Sequence, residues 1–473
     1  MKILLINPPG EFKTPIMPMG FAYISAYLKS KDKNIDIKII DGWAERWNKE
    51  SDFKKLKDRV FESKADIVGI YFASPRYNAT QKSIETCRKA LPNSIIIAGG
   101  PHPSALPIET LKEIPELDIC AVGEGEITMH ELIKSFENNS PLTEVSGLAF
   151  RNKENGEIII TKPREFIKNL DDLPFPLRDI FPLDRYQAPP WIKKRPCFPM
   201  ITSRGCPYQC AYCSKDVFRD TFRARSPEKV CDEIEELIAK YGVKEIQFHD
   251  DDFTMDMQRA EKICDEILRR GIKISWSCLT RVNLVNEKLL RKMKEAGCYL
   301  VMYGMESGNQ KILNAINKGF TIEQIVSAFQ ITRKIGLKTT VCVMVGLPGE
   351  TEETVKDTFS LLKKIKPNFM GCNVLIVYPG SRFFKLIQSG KYRGRLRVLG
   401  NKTIGGTTGI RGNYTVFEDN FTFEELEKIA KKLTKEFFLR PQYLWQSLKD
   451  IRSFSDIRYY LNGAKVILKS LFV

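Results

Sequence analysis

Short apolar runs alternate with longer amphipathic stretches over most of the chain. In the first part the runs fall at Ile3–Ile6, Ile35–Ile40, Ile67–Phe72, Ser94–Ala98 and Asp118–Val122. Helix-length segments such as Phe21–Lys29 and Asn78–Leu91 separate them. This alternation predicts a doubly wound α/β sheet over residues 1–145. Such sheets bind ligands outside the carboxyl ends of their strands. Here those ends read Asn7-Pro8-Pro9-Gly10, Ser74-Pro75-Arg76, Gly99-Gly100-Pro101-His102-Pro103 and Gly123-Glu124-Gly125-Glu126. Small residues and prolines there let backbone approach a wide, flat ligand.

The rhythm breaks over residues 146–198. Glu154-Asn155-Gly156 lies between two short apolar runs and predicts a tight hairpin turn. Prolines at 163, 174, 176, 182, 189, 190 and 196 then exclude long helices and predict an extended strap. Strand and helix resume over residues 199–384. Six strands are expected at Met200–Ser203, Glu245–Phe248, Ile274–Leu279, Leu300–Tyr303, Thr339–Val345 and Asn373–Val377. Six such units suit an incomplete parallel barrel with its chemistry at the strand carboxyl ends. Those ends carry His249-Asp250-Asp251-Asp252, Thr280-Arg281, Glu306-Ser307-Gly308, Gly346-Leu347-Pro348-Gly349-Glu350 and Tyr378-Pro379-Gly380. Asp252 suits a helix cap, and Arg281 can pair bidentately with a carboxylate, Glu306 among others.

Residues 385–473 differ in charge. They hold 17 basic and 8 acidic residues, a net of +9 out of the chain's +16. Lys385–Gly412 has no acid and is rich in glycine near its end, which predicts a flexible loop. A final helix is expected to open at a Ser453/Asp456 capping box, with Ile457, Leu461, Ala464, Leu468 and Leu471 on one stripe and Arg458, Lys465 and Lys469 off it. The domain is thus expected to be small and mainly helical. Its stripe suits either a cap over the barrel mouth or the surface of an anionic membrane. Nucleic acid is not an expected partner, because no recognised binding module accompanies the charge.

Composition narrows the class. With 43% hydrophobic and 28% charged residues over 473 positions, the chain can bury the cores of two or three domains. The opening strand leaves no signal peptide, and no run approaches the roughly 20 apolar residues of a spanning helix. The expected setting is therefore cytoplasmic, peripheral on the inner face of the membrane if the last helix binds lipid. The 12 cysteines are then read as reduced rather than bridged.

Three of them stand apart in Ser203-Arg204-Gly205-Cys206-Pro207-Tyr208-Gln209-Cys210-Ala211-Tyr212-Cys213. A C-x3-C-x2-C triplet supplies three thiolates, one fewer than the irons of a cubane cluster. Zinc would want a fourth ligand at matching spacing, and none follows nearby. A degenerate zinc knuckle or three core cysteines placed by chance are the other readings. The triplet resembles the cluster loop of the radical S-adenosylmethionine (SAM) superfamily. The N-terminal sheet directly upstream resembles the flavodoxin-like cobalamin (B12)-binding domain of the B12-dependent branch. Together the resemblance spans nearly the whole chain.

That resemblance implies a [4Fe-4S] cluster on Cys206, Cys210 and Cys213, whose open iron chelates SAM and whose electron cleaves it to a 5′-deoxyadenosyl radical. It implies that Tyr212, Asp250, Asp251, Arg281, Glu306 and Gly346 shape the SAM pocket. For cobalamin it points to Pro8, Ser74, Gly99, Gly100, His102, Gly123, Glu124 and Gly125. The D-x-H-x-x-G motif is absent, so no histidine is expected below the cobalt, and His102 is read as a cap or hydrogen-bonding residue. The implied activity is cobalamin-dependent methylation of an unactivated carbon in a small lipid-like or tetrapyrrole substrate. A one-electron donor such as flavodoxin or ferredoxin would serve it. Radical cyclisation or carbon–carbon bond formation without methyl transfer is the alternative. A non-catalytic corrinoid carrier is a third reading from another class.

Overall fold

A computed structural model describes residues 1–10, 16–152, 154–186, 192–391, 394–403, 411–441 and 443. The N-terminal strands are β1 (Lys2–Asn7), β2 (Asp36–Asp41), β3 (Ile67–Tyr71), β4 (Ile95–Gly99), β5 (Ile119–Ala121), β6 (Leu148–Arg151) and β7 (Ile158–Ile160). They form one sheet in the order β2-β1-β3-β4-β5-β6-β7. The first five run parallel in the flavodoxin-like order, with its switch point between β1 and β3. Successive side chains of β1 feed opposite cores: Ile3 and Leu5 pack under helices Met19–Lys31 and Gly125–Asn138, Leu4 and Ile6 under Asp52–Ser63 and Tyr77–Ala90. That is why the strands read as unbroken apolar runs.

The expected hairpin forms, but it joins this sheet. β6 pairs antiparallel with β5, and β7 with β6, so the sheet continues to Ile160. The proline strap then crosses between the domains. Leu177 N–H bonds the Ala22 carbonyl at 3.0 Å, and Tyr186 bonds Asp41 at 2.6 Å.

The second sheet begins with β8 (Cys197–Met200), three residues earlier than expected. β9 (Ser203–Arg204) splits off and pairs with β10 (Arg223–Ala224). β11 (Glu245–Phe248), β12 (Ser275–Thr280), β13 (Cys298–Glu306), β14 (Lys338–Val345) and β15 (Phe369–Val374) complete it. The order β15-β14-β13-β12-β11-β8 is sequential and all parallel, an open barrel of six strands.

The C-terminal segment corrects the expected loop over Lys385–Gly412. β16 (Arg395–Thr403) and β17 (Arg411–Glu418) form an antiparallel hairpin before the helix Phe423–Phe438. Arg395-Leu396-Arg397-Val398 alternates charged and apolar positions, which is strand periodicity. Tyr414 and Val416 turn inward and are buried, and Val416 bridges Ile376 beyond the last barrel strand. The capping box expected at Ser453 and the stripe that follows lie outside the described residues. A capping box does open the preceding helix, between Thr422 and Glu425. No helix among the described residues is long and apolar enough to cross a membrane.

Candidate active site between the two domains

The cysteine loop starts where β9 ends. Gly205 has φ +83°, and a methyl group there would run into the Thr221 carbonyl oxygen. The turn that carries the chain to Cys206 therefore needs a residue without Cβ. Backbone bonds pin the loop on three sides. Gly205 N–H donates to Asp251 Oδ2 (3.1 Å), Ala211 N–H to the Ile316 carbonyl (2.9 Å), and Phe383 N–H to the Ala211 carbonyl (2.7 Å). Lys215 reaches back to the carbonyls of Cys206 (2.8 Å) and Tyr208, its charge met by Asp220 at 2.9 Å.

Cys206 and Cys213 line a cavity of about 590 Å³ that both domains enclose, a size typical of ligand sites. Cys210 accepts a bond from Arg281 Nη1 at 3.5 Å. Burial, then Cys210 and Asp251 nearby, push the Cys213 thiol up to about 12, and burial also raises Cys206. The chain alone thus keeps these thiols protonated, and a bound cationic centre is what would draw the protons off. Among the described residues no three His, Cys, Asp or Glu side chains gather closely enough to hold a single metal ion. A cubane takes one thiolate at each of separate irons, whereas zinc needs its ligands around one point. Three soft donors spread along one pinned loop fit the cubane.

The expected SAM residues divide. Asp251 lines the cavity. Asp250 does not: its carboxylate takes Thr202 N–H (2.6 Å), Thr202 Oγ1 (2.5 Å) and Ser203 Oγ (2.7 Å), bracing the chain between β8 and β9. Asp252 is not a helix cap. Asp256 caps the helix Met257–Arg269 through Arg259 N–H. Asp252 is buried in the barrel, with Oδ1 bonded by Thr280 at 2.9 Å and Oδ2 unpartnered, and burial lifts its carboxyl to about 6.

Glu306 ends β13 at φ +67°, an unusual conformation for a side-chain-bearing residue, beside a break in the β13–β14 register. Its Oε1 receives Lys318 Nζ (2.8 Å) and Tyr212 OH (2.9 Å). Its ion-pair partner is therefore Lys318 rather than Arg281. Arg281 forms no ion pair among the described residues and spends its guanidinium on Cys210, Asn283 and the Lys318 carbonyl. The Gly346 amide is taken by Glu350 Oε2 at 2.6 Å. Burial lifts that carboxyl to about 7.

On the N-terminal side Gly99, Gly100, Gly123 and Gly125 line the cavity with Met17, Phe21 and Trp43. Pro8, Ser74 and His102 are not among its walls. Pro8 gives its carbonyl to Arg76. His102 Nδ1 shares a hydrogen bond with Ser74 Oγ at 2.9 Å while its ring stacks on Phe72 at 4.3 Å, and burial lowers its pKa to about 4. Glu124 touches the cavity but its carboxylate is spent. Arg204 Nη1 (2.8 Å), Arg223 Nη1 (2.9 Å) and Ile167 N–H (3.0 Å) all donate to it, while Arg204 Nη2 holds Glu126 at 2.6 Å. These four charged side chains tie the domains together two residues before Cys206, all of them buried.

Sequence reasoning missed Lys318, Arg204, Trp43 and the cavity-lining segment 214–219. Only the position of Arg204 next to the triplet offered a signal.

Residues 200–362 match the radical SAM superfamily, and residues 10–133 match the B12 binding domain. An uncharacterized methyltransferase of Pyrococcus horikoshii is 33% identical over 458 residues, which is 95% of each chain. This chain belongs to the radical SAM superfamily, in the branch that carries a B12 binding domain. The radical SAM enzyme is also similar to the anaerobic magnesium-protoporphyrin IX monomethyl ester cyclase of Rubrivivax gelatinosus, 28% identical over 81% of this chain and 70% of that one. Its fold is shared with the radical SAM methyltransferase TsrM of Kitasatospora setae, solved with cobalamin and a [4Fe-4S] cluster, at TM-score 0.76 and 16% identity over 99% of both chains. The cofactors of this branch are a [4Fe-4S] cluster, SAM and cobalamin. Like other radical SAM enzymes, it acts on a small molecule with the help of an electron donor.

Proposed function

We propose that this enzyme methylates an unactivated carbon of a small, largely apolar molecule held between the barrel and the B12 domain. The observation that carries the reading is the shared cavity: Cys206 and Cys213 stand on the same walls as Gly99, Gly100, Gly123 and Gly125. The cluster supplies one-electron cleavage of SAM, and cobalamin supplies a transferable methyl group. The chain's own residues do the rest. Cys206, Cys210 and Cys213 would hold the cluster. Asp251, on the cavity wall, suits the SAM ammonium, and Glu306 Oε2, opposite the oxygen taken by Lys318 and Tyr212, suits a ribose hydroxyl. The bare backbone of the four glycines suits the face of the corrin. No histidine lines the cavity, so nothing of that type would ligate cobalt from the protein side.

Support for methyl transfer comes from the Pyrococcus relative, a methyltransferase by name. The magnesium-protoporphyrin cyclase relative and the apolar side chains Met17, Phe21 and Trp43 favour a second reading, oxidative ring closure on a hydrophobic substrate. Anaerobic reconstitution with methyl-deuterated SAM and a host extract separates them. Methylation leaves the label in a new product; cyclisation yields 5′-deoxyadenosine with no label transferred. Cobalamin binding with intact SAM would leave only a carrier. We further propose flavodoxin or ferredoxin as electron donor. The +9 surplus of residues 385–473 supports peripheral contact with an anionic membrane surface. Full-length protein that fails to float with anionic liposomes would exclude that contact.

A further inference from the structure

Arg281 sits at the carboxyl end of β12 with 7% of its surface exposed and no carboxylate at ion-pair distance among the described residues. A buried cation without such a partner is costly unless it meets negative charge by another route. Asp252 is near enough for its carboxyl to feel the guanidinium, yet it bonds Thr280 instead. The guanidinium is clamped. Its Cζ lies over the Tyr208 ring, 3.6 Å from the centroid, with the Phe320 centroid at 5.2 Å. Nε donates to Asn283 Oδ1 at 3.2 Å, and Nη2 donates to the Lys318 carbonyl. Asn283 in turn reaches the Tyr208 hydroxyl at 3.4 Å, closing the frame around the stack. What remains is Nη1, which points at Cys210 Sγ, 3.5 Å away.

We infer that Arg281 is a redox-positioning residue: it holds a permanent positive charge against the Cys210 thiolate and makes the cluster easier to reduce. The inference rests on the cluster assignment and deepens it. A reduced cluster carries one more negative charge than the oxidised one. A fixed cation and hydrogen-bond donor at a ligating sulfur stabilises the reduced state more and raises the potential. Arginine suits the task because it stays charged when buried and because its planar fork can stack and donate at once. The assignment differs from a clamp on the SAM carboxylate, which would leave the cluster's own potential untouched when SAM is absent.

The test is an anaerobic redox titration of the reconstituted full-length protein without SAM, followed by electron paramagnetic resonance, in the wild type, R281M and R281Q. In R281M the reduced-to-oxidised ratio at a fixed ambient potential should fall at least tenfold, a shift of about 59 mV to lower potential for a one-electron couple. R281Q, a donor without charge, should lie between R281M and the wild type. R281M with full iron and sulfide content and a wild-type potential overturns the proposal. If R281M cannot hold iron, R281Q decides: a lowered potential supports the proposal and an unchanged one overturns it. An unchanged potential together with loss of the SAM-induced spectral change would return Arg281 to the substrate. Failure of the wild type to assemble a cluster would instead refute the function proposed above.

Discussion

On the N-terminal wall of the cavity, Gly99, Gly100, Gly123 and Gly125 put bare backbone beside Met17, Phe21 and Trp43. On the barrel wall, Cys206, Cys213, Lys215, Asp216, Arg219 and Asp251 put sulfur and charge. The first surface can recognise a large ligand by fit, and the second by chemistry. Where both walls meet, Glu124 and Glu126 are consumed by Arg204 and Arg223. At the seam both carboxylates are taken, with Arg223 Nε and Nη2 left over, and deeper in the barrel it is acceptor-bearing groups, Asp252 Oδ2 and Ser277 Oγ, that are buried without partners. A seam whose carboxylates each meet a guanidinium holds parts together; a barrel interior with a spare carboxylate oxygen and hydroxyl can accept something else.

The sharpest way to break the contrast is on the chemical wall. Replacing Cys210 with alanine should reduce bound iron and sulfide to background and abolish SAM cleavage, while cobalamin binding persists. Metal analysis and product chromatography read both. Loss of cobalamin binding in the same variant would show that the walls are not independent.

Next comes the seam. Arg204→Met strands Glu126 and leaves Glu124 to Arg223 and the Ile167 amide, and breaking a buried ion pair this way costs about 3–5 kcal/mol, measurable by denaturant titration. Burial pushes the Glu124 carboxyl up, but Arg204 and Arg223 overcome it and hold the pKa below its ordinary 4.5. Its pairing therefore contributes in full above pH 4.5 and is lost as pH falls through the depressed value. Wild-type stability should fall on that acid side, and the variant should lose that part of the slope.

Glu350 gives the opposite sign. Burial raises its carboxyl from 4.5 to about 7. Its contribution to stability is complete below pH 4.5 and declines as pH climbs toward 7, by about 3 kcal/mol at one pKa unit per 1.36 kcal/mol. Glu350→Gln keeps an acceptor for the Gly346 amide and should flatten that decline. Thermal melts from pH 4 to 8 that keep the wild-type slope would contradict it.

The smallest effect on stability belongs to the fitted wall. A methyl group on Gly99 would meet nothing nearer than Ala121 Cβ at 3.8 Å. Gly99→Ala should change stability by no more than about 0.5 kcal/mol and weaken cobalamin binding about tenfold, one such step being 1.4 kcal/mol. Equilibrium binding by absorbance checks it.

Much of this was legible in the chain. Ile3–Ile6 and Ile67–Phe72 announced buried parallel strands because both sides of such a strand are covered. The cysteine loop was legible because its spacing carries the chemistry. Partners distant in sequence were not. Nothing local says that Lys318, in the turn after the helix Gln310–Ala315, will fold back on Glu306, or that Asp250 will spend itself on Thr202 and Ser203, a pairing made by the register of β8 and β11. Glu124 looked like a ligand-facing acid because it stands between two glycines. Its role depended on Arg204 and Arg223, 80 and 99 residues away. The hairpin of β16 and β17 was hidden by glycine and positive charge, which resemble loop composition until the alternation is counted.

The salt-bridged seam limits how this protein could be rebuilt. A chimera that grafted a foreign corrinoid half onto this barrel would confront Arg204 and Arg223 with whatever stood in place of Glu124 and Glu126. One of the unmatched guanidinium groups belongs to the residue preceding Gly205, so its displacement would pull on the cysteine turn before any cofactor arrived. The two halves have to be inherited, or engineered, as a matched set.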